Sequence, residues 1–413
     1  MNLILFIILI IISINFLFEL ILDFLNLKHR GKPVPDIVSD VYDTDTYQKQ
    51  QRYEMETTKF SFFQGTISFV AIFIVLFFGF LGKFHGYISS LGYSDVLTTL
   101  IFFGVLFIVT QILSIPFSLY STFVIEQKYG FNKVTPKLFV TDIIKSILLV
   151  TIIGGGLLAL ITWVFHAYTQ WFWLLALGIM LLFSLLANAL YSRVIVPLFN
   201  KQTPLEAGEL YESIKAMSVR IGFPVNKIYT IDGSKRSTKA NAYFTGFGRN
   251  RRVVLYDTLI NSMSTNEVVA VLAHEIGHYK RKHIWINFTI GAVQSAIILY
   301  VFNIMAQSTS LTIALGYNNA IEPVFHLSLI AFGLLFTPIE HVLGIASNYL
   351  SRKMEYQADS FAVNLKLGNQ LISALKKLSK DNLSNLTPHP IYVFINYSHP
   401  TLYQRAKKIL NSV

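Results

Sequence analysis

The chain has 413 residues, of which 53% are hydrophobic and only 14% charged. Soluble enzymes carry about a quarter charged residues, so this composition excludes an ordinary soluble protein and points into a membrane. There is no cysteine, which excludes disulfides, thiolate ligands and cysteine nucleophiles and leaves any metal to His, Asp or Glu. The net charge of +11 could suit nucleic acid, but the cations are confined to a few loops. That placement argues for anionic lipid headgroups as their partner and against nucleic acid.

Met1-Asn-Leu-Ile-Leu5 has neither the basic start nor the small-residue cleavage site of a signal peptide, so it reads as a retained helix. A span needs about 20 apolar residues, and seven stretches supply them: about 3 to 25, 60 to 82, 97 to 122, 142 to 165, 171 to 197, 284 to 305 and 324 to 348. Threading these spans puts 26 to 59, 123 to 141, 198 to 283 and 349 to 413 on one side, with nearly every Lys and Arg. The opposite loops hold only Lys83. The positive-inside rule makes the basic side cytosolic, with the N-terminus outside.

The predicted fold class is an all-α membrane protein of seven transmembrane helices with a small cytosolic α+β portion. Four parts follow: 1 to 197 with spans one to five, a cytosolic loop 198 to 283, 284 to 348 with spans six and seven, and a cytosolic C-terminal part 349 to 413. Within the loop, Pro204 to Gly222 has helical spacing. Lys227 to Asp232 and Arg251 to Tyr256 read as strands, with turns at Asp232-Gly233 and Gly248-Arg-Asn250.

The stretch with the clearest chemistry is Val271-Leu-Ala-His-Glu-Ile-Gly-His-Tyr279, an HExxH motif. Ser264 and Glu267 form a capping box ahead of it, which predicts a helix. Positions i and i+4 share a helix face, so His274 and His278 can reach one Zn²⁺. Glu275 sits about 100° further round, poorly aimed at the metal and well placed as the general base of a zinc peptidase.

A catalytic zinc takes three protein ligands, and a histidine six residues beyond the motif is ruled out because that position is Ile284. Of the later glutamates, Glu322 lies on the wrong side. Glu340 is near the middle of a span, as a polar contact to His341 or a cavity-lining group. Glu355 follows span seven in Ser351-Arg-Lys-Met-Glu-Tyr-Gln-Ala-Asp359. Glu355 and Asp359 are again i and i+4, so one can ligate while the other accepts the Nδ1–H of a ligating histidine.

Seven stretches in one order carry a family resemblance: Tyr120 to Asn132, Pro197 to Pro204, Asp232 to Ser237, Asn241 to Gly246, His274 to His278, the Glu355 segment and Tyr397 to Thr401. In them the chain resembles the type I CAAX prenyl proteases, integral-membrane zinc metallopeptidases with seven helices around a chamber. The resemblance implies one zinc per chain on His274, His278 and Glu355, with Glu275 as base and His399 as oxyanion stabiliser. Asn241, Ala242, Tyr243 and Phe244 would form an edge strand on which the substrate peptide pairs. Asp359 and Arg405 would stand behind the ligands. Lys239 and Ala240 stand where the family tends to carry His and Ser, and Gln404 where an acid usually precedes the arginine. His283 fits the family pattern but is about 140° round a continuous helix from His278, so it is not taken as a ligand.

The expected function is hydrolysis of prenylated CAAX-type C-terminal peptides or similar extended substrates, in a bacterial cytoplasmic or endoplasmic reticulum membrane. The alternatives are a general quality-control membrane protease and, in another class, a transporter or channel with a structural zinc. The last would favour paired broken helices in two symmetric halves, which the sequence does not display.

Overall fold

The computed structural model describes residues 2 to 223, 227 to 245 and 252 to 412. Five membrane-length helices come first: α1 (Leu3–His29), α2 (Thr44–Phe77), α3 (Asp95–Tyr129), α4 (Pro136–Ala167) and α5 (Phe172–Phe199). Then follow β1 (Gln202–Pro204), α6 (Glu209–Arg220), β2 (Ile228–Ile231), β3 (Ala242–Thr245), β4 (Arg252–Tyr256) and α7 (Thr265–Lys280). Two more membrane-length helices, α8 (His283–Met305) and α9 (Phe325–Asn364), lead to α10 (Gly368–Asp381), α11 (Pro390–Asn396) and α12 (Leu402–Leu410). Among the described residues, seven helices are thus long and apolar enough to cross a membrane.

The helices start where side chains can satisfy their first free N–H groups. Asp43 accepts from Thr46 N at 2.8 Å ahead of α2, and Thr135 caps α4 with Pro136 at its first position. Wider π-turns interrupt α3 at Ser121–Glu126, α4 at Val150–Gly154 and α5 at Tyr191–Ile195.

Two boundaries differ from the sequence reading. The second span was expected to run to residue 82, but α2 stops at Phe77 and Gly79 turns left-handed, with φ 64°, before a short helix Phe80–Ser89. The cause is a close backbone crossing with the loop before α9. Gly82 N donates to Leu315 O at 2.9 Å, and Gly79 lies so near Gly316 that a Cβ on either would press into the other's backbone. At the other end, α9 continues past the expected end at 348 to Asn364. Its 40 residues make a rod of about 60 Å at 1.5 Å per residue, twice the roughly 30 Å of hydrocarbon. The second half therefore stands outside the membrane.

The sheet has the order β1-β2-β4-β3, with β2 and β4 parallel and the outer pairs antiparallel. The two expected strands are its centre, and Val253, Val254 and Leu255 are fully buried, as a strand covered on both faces requires. The helix expected from Pro204 instead begins at Glu209, because Pro204 pairs in β1 opposite Tyr229. The turn expected at Gly248-Arg-Asn250, and Arg251, lie outside the described residues.

Buried apolar side chains gather in two places. One cluster, with Leu76, Phe102, Phe165, Phe172, Phe302 and Phe325, joins the helix ends remote from the sheet. The other, with Ile214, Leu255, Val268, Leu272, Ile276 and Leu371, joins the sheet to α6, α7 and α10. Between them the spans are open: only 6 to 17% of their most apolar windows is buried. A solid bundle would bury a face of every helix, and these spans bury little of theirs along most of their length.

A Cβ on Gly82 would lie 2.2 Å from both Gly316 C and Tyr317 N. Gly82→Val is expected to cost about 2 kcal/mol or more, read as a lower thermal midpoint in detergent, whereas the same change at Gly104, where an added Cβ meets nothing within 4 Å, leaves the midpoint nearly unchanged.

Candidate active site

Helix α7 is anchored before it presents any chemistry. Ser264 N donates to Glu267 Oε2 at 2.8 Å and Glu267 N to Ser264 Oγ at 3.4 Å, the expected capping box. Glu267 also accepts from Ser373 Oγ at 2.6 Å and Lys377 Nζ at 2.7 Å, which ties α7 to α10. Burial alone would raise the carboxyl's pKa, but these donors, Lys377 foremost, bring it down to about 2. Residues 267 to 274 are all buried, as befits a helix that is apolar all round.

The crossing partner is the outer half of α9. A Cβ on Gly277 would stand 3.1 Å from Ala358 Cα and from Phe361 Cβ. The absence of a side chain there lets the two helices approach closely enough for their functional groups to meet. His274 Nε2 lies 3.4 Å from Glu355 Oε2, His278 Nε2 lies 3.2 Å from Glu355 Oε1, and the two Nε2 atoms are 3.2 Å apart.

Both imidazoles are oriented from behind. Asp359 Oδ1 sits 2.9 Å from His274 Nδ1, so that nitrogen carries the proton and Nε2 offers its lone pair to the shared point. Arg405 locks the aspartate by two bonds, Nη2 to Oδ1 at 2.6 Å and Nε to Oδ2 at 3.0 Å. Gln404 takes no part in that pairing and instead completes the capping box of α12 with Thr401. Burial opposes a charge on His274, but Asp359 and Glu355 outweigh it and raise its pKa to about 8. A cation arriving there displaces a proton and binds more weakly as pH falls.

His278 is oriented by His283, a residue for which the sequence reading found no place. Their Nδ1 atoms are 3.0 Å apart, and His283 Nε2 donates to Gln357 Oε1 at 2.8 Å. His283 Nδ1 then accepts from His278, leaving the Nε2 of His278 free toward Glu355. The angle of 140° assumed one continuous helix. In fact α7 ends at Lys280 and Lys282 is left-handed, with φ 58°, so α8 starts at His283 and returns its ring to His278. The Lys280-Arg-Lys282 run just before His283 was the signal of a helix end.

A metal ion fits this donor set. Bonds of about 2.0–2.1 Å in a tetrahedron put ligand atoms about 3.3 Å apart, and the separations are 3.2 to 3.4 Å. Glu355 is 4% exposed and its Oε2 has no hydrogen-bond partner, with the Arg405 guanidinium 3.5 Å away as its ion-pair partner, so a buried lone pair is left open at the point where the imidazoles converge. Among the described residues this is the one group of three or more His and acid side chains whose donor atoms converge within 4.8 Å.

Glu275, His399, Asn241 and Ala242 line the same cavity, of about 510 Å³. His399 Nε2 is 3.3 Å from Glu355 Oε1, and Ser398 Oγ sits 3.0 Å from its Nδ1. Strand β3 is an edge of the sheet, and Tyr243 Oη takes a bond from Gln202 Nε2 at 3.2 Å. Phe244 enters the described structure only through its main chain, paired with Val253. Lys239 reaches Glu126 at 3.2 Å and lies over the Phe131 ring, while Ala240 lines the cavity. Glu340 is exposed, and His341 bonds to Asn15 on α1 rather than to it.

Membrane-length helices carrying a His-His-Glu convergence beside a cavity define an integral-membrane metallopeptidase. Residues 23 to 201 match the family described as the CAAX prenyl protease N-terminal part with five membrane helices, and residues 204 to 413 match peptidase family M48. CAAX prenyl protease 1 of Saccharomyces cerevisiae is 36% identical, over 90% of this chain and 87% of that one. The homologue of Arabidopsis thaliana is 35% identical over 96% and 95%, and that of Homo sapiens 32% over 91% and 88%. The crystal structure of S. mikatae Ste24p superimposes with a TM-score of 0.93 at 35% identity, covering 98% of this chain and 99% of that one. The chain belongs to peptidase family M48.

Asp359→Asn and His283→Ala are each expected to weaken metal binding roughly 10–100-fold, measured by competition with a chromogenic chelator. Unchanged affinity in both would remove these residues from the support of the site.

Proposed function

We propose that the chain is a zinc endopeptidase that hydrolyses C-terminal CAAX-type peptides carrying a prenyl group, with zinc held by His274, His278 and Glu355. The observation that carries the reading is the convergence of their three side chains from two distant helices at tetrahedral spacing. Zinc is favoured by the donor set of two imidazoles, one carboxylate and no sulfur. When bound it polarises a carbonyl and makes water more acidic.

The chain's own residues do the rest. Glu275 takes the proton of the attacking water and passes it to the leaving amine. His399, exposed at the cavity wall, donates to the oxyanion of the tetrahedral intermediate. The open edge of β3 receives the peptide as an added strand, from Asn241 through Phe244, which holds the scissile bond extended. Arg405 and Asp359 keep His274 in the tautomer that leaves Nε2 unprotonated.

Residues 198 to 283 and 349 to 413 form the peptidase part, and 1 to 197 with 284 to 348 the membrane part. The excess of Lys and Arg on the peptidase side supports a cytosolic active site. The names of the relatives support the prenylated substrate.

Glu275→Gln is expected to bind zinc at one equivalent while turnover falls about 10²–10⁴-fold. Metal content and peptide cleavage by the same purified sample check this, and cleavage at the unsubstituted rate would overturn the mechanism.

A further inference from the structure

Two of the π-turns in the membrane helices make contact with the chain at β3. The turn of α3 closes at Glu126, and that of α5 contains Ser192. Lys239 Nζ lies 3.2 Å from Glu126 Oε2 and 4.5 Å from the centroid of the Phe131 ring, and the Tyr53 hydroxyl of α2 donates to Glu126 Oε1. Four residues further on, the Tyr243 hydroxyl takes its bond from Gln202 Nε2 and bonds Ser192 as well. Gln202 Nε2 also reaches Ser192 Oγ at 3.4 Å. Wider helical turns of this kind occur mostly at functional sites.

Between these two points of attachment lie Ala240, Asn241 and Ala242, all of which line the catalytic cavity. Four extended residues at about 3.3 Å each span roughly 13 Å, so the attachments bracket that wall from both ends. Side chains alternate along an extended chain, which puts the two alanines on one face and Lys239 and Tyr243 on the other. The strand needs the support. It is four residues long and pairs with β4 alone, and so short a strand with one neighbour is poorly fixed by its own hydrogen bonds. Just before it, Arg236 grips both oxygens of Asp142 on α4, with Nε 3.1 Å from Oδ2 and Nη2 3.0 Å from Oδ1, and Thr238 N donates to Phe131 O at 3.2 Å.

We propose that Lys239 and Tyr243 are positioning residues that hold β3 at a set distance from the metal, each through a π-turn of a membrane helix. The proposal rests on the peptidase reading above, in which β3 receives the peptide, and adds the residues that keep the strand in place for it. A strand already ordered when substrate arrives spares the complex the cost of ordering it. Loosening either attachment therefore weakens peptide binding and leaves the metal ligands as they are.

The test uses zinc-loaded full-length protein, a farnesylated CAAX peptide and three variants. Lys239→Met and Tyr243→Phe are each expected to raise KM about fivefold, with a smaller change in kcat, while Lys239→Arg, which keeps the charge, stays near wild type. Acetohydroxamate reaches a zinc ion without touching the strand and is expected to inhibit all four proteins equally, whereas a hydroxamate carrying the peptide inhibits the two loosened variants less well. A lowered thermal midpoint with KM and both inhibition constants unchanged means a merely structural role and overturns the proposal. Amide hydrogen exchange across 240 to 245 reads the strand without turnover. Faster exchange is expected in Lys239→Met and Tyr243→Phe, with or without metal, and unchanged exchange overturns the proposal while the peptidase stands. Wild-type protein that leaves the peptide uncleaved overturns the peptidase reading and this proposal with it.

Discussion

The close crossing of α7 and α9 at Gly277 is the constraint on which the rest depends. The two histidines and the glutamate are about 80 residues apart in sequence, with a membrane excursion between them, so no local structure can bring them together. Packing does it instead. The absence of a side chain at Gly277 allows the approach, the length of α9 carries Glu355 out of the hydrocarbon, and the Glu267 contacts to α10 fix the N-terminal end of α7. Two buried carboxylates, Glu355 and Asp359, share the single guanidinium of Arg405, and burying the second charge is costly unless a further cation compensates it. The arrangement therefore makes physical sense as a ligand set, with Arg405 neutralising the aspartate behind it.

The same economy explains the shape of the membrane part. Its helices meet in an apolar cluster at one end and in the peptidase core at the other, and are little buried between. In lipid an exposed apolar helix face costs nothing, so a bundle can stay open if its ends are tied. The glycine crossing of Gly79, Gly82 and Gly316 belongs to one tie, and the contacts of α7 and α9 to the other.

Much of this was legible in the sequence because it rests on local rules. The seven spans follow from apolar run length, the start of α7 from its capping box, and the shared face of His274 and His278 from helical spacing. The third ligand was only half legible: spacing made Glu355 and Asp359 equivalent, and only packing put one on the Nε2 side and the other on the Nδ1 side of His274. His283 was missed because a wheel angle presumes an unbroken helix, whereas Lys282 breaks it. Strand β1 was missed because Gln202, Thr203 and Pro204 have no apolar alternation, and the strand exists only by pairing with β2. The break at Gly79 likewise belongs to a backbone contact more than 230 residues away.

X-ray absorption at the zinc edge of purified full-length protein, set beside its metal stoichiometry, tests the convergence most directly. One zinc per chain is expected, with two imidazoles and oxygen donors at about 2.0–2.2 Å, and with Glu355→Ala reducing the stoichiometry sharply. Zinc that shows no imidazole scattering, or a Glu355→Ala protein that keeps one zinc in an unchanged shell, would contradict it.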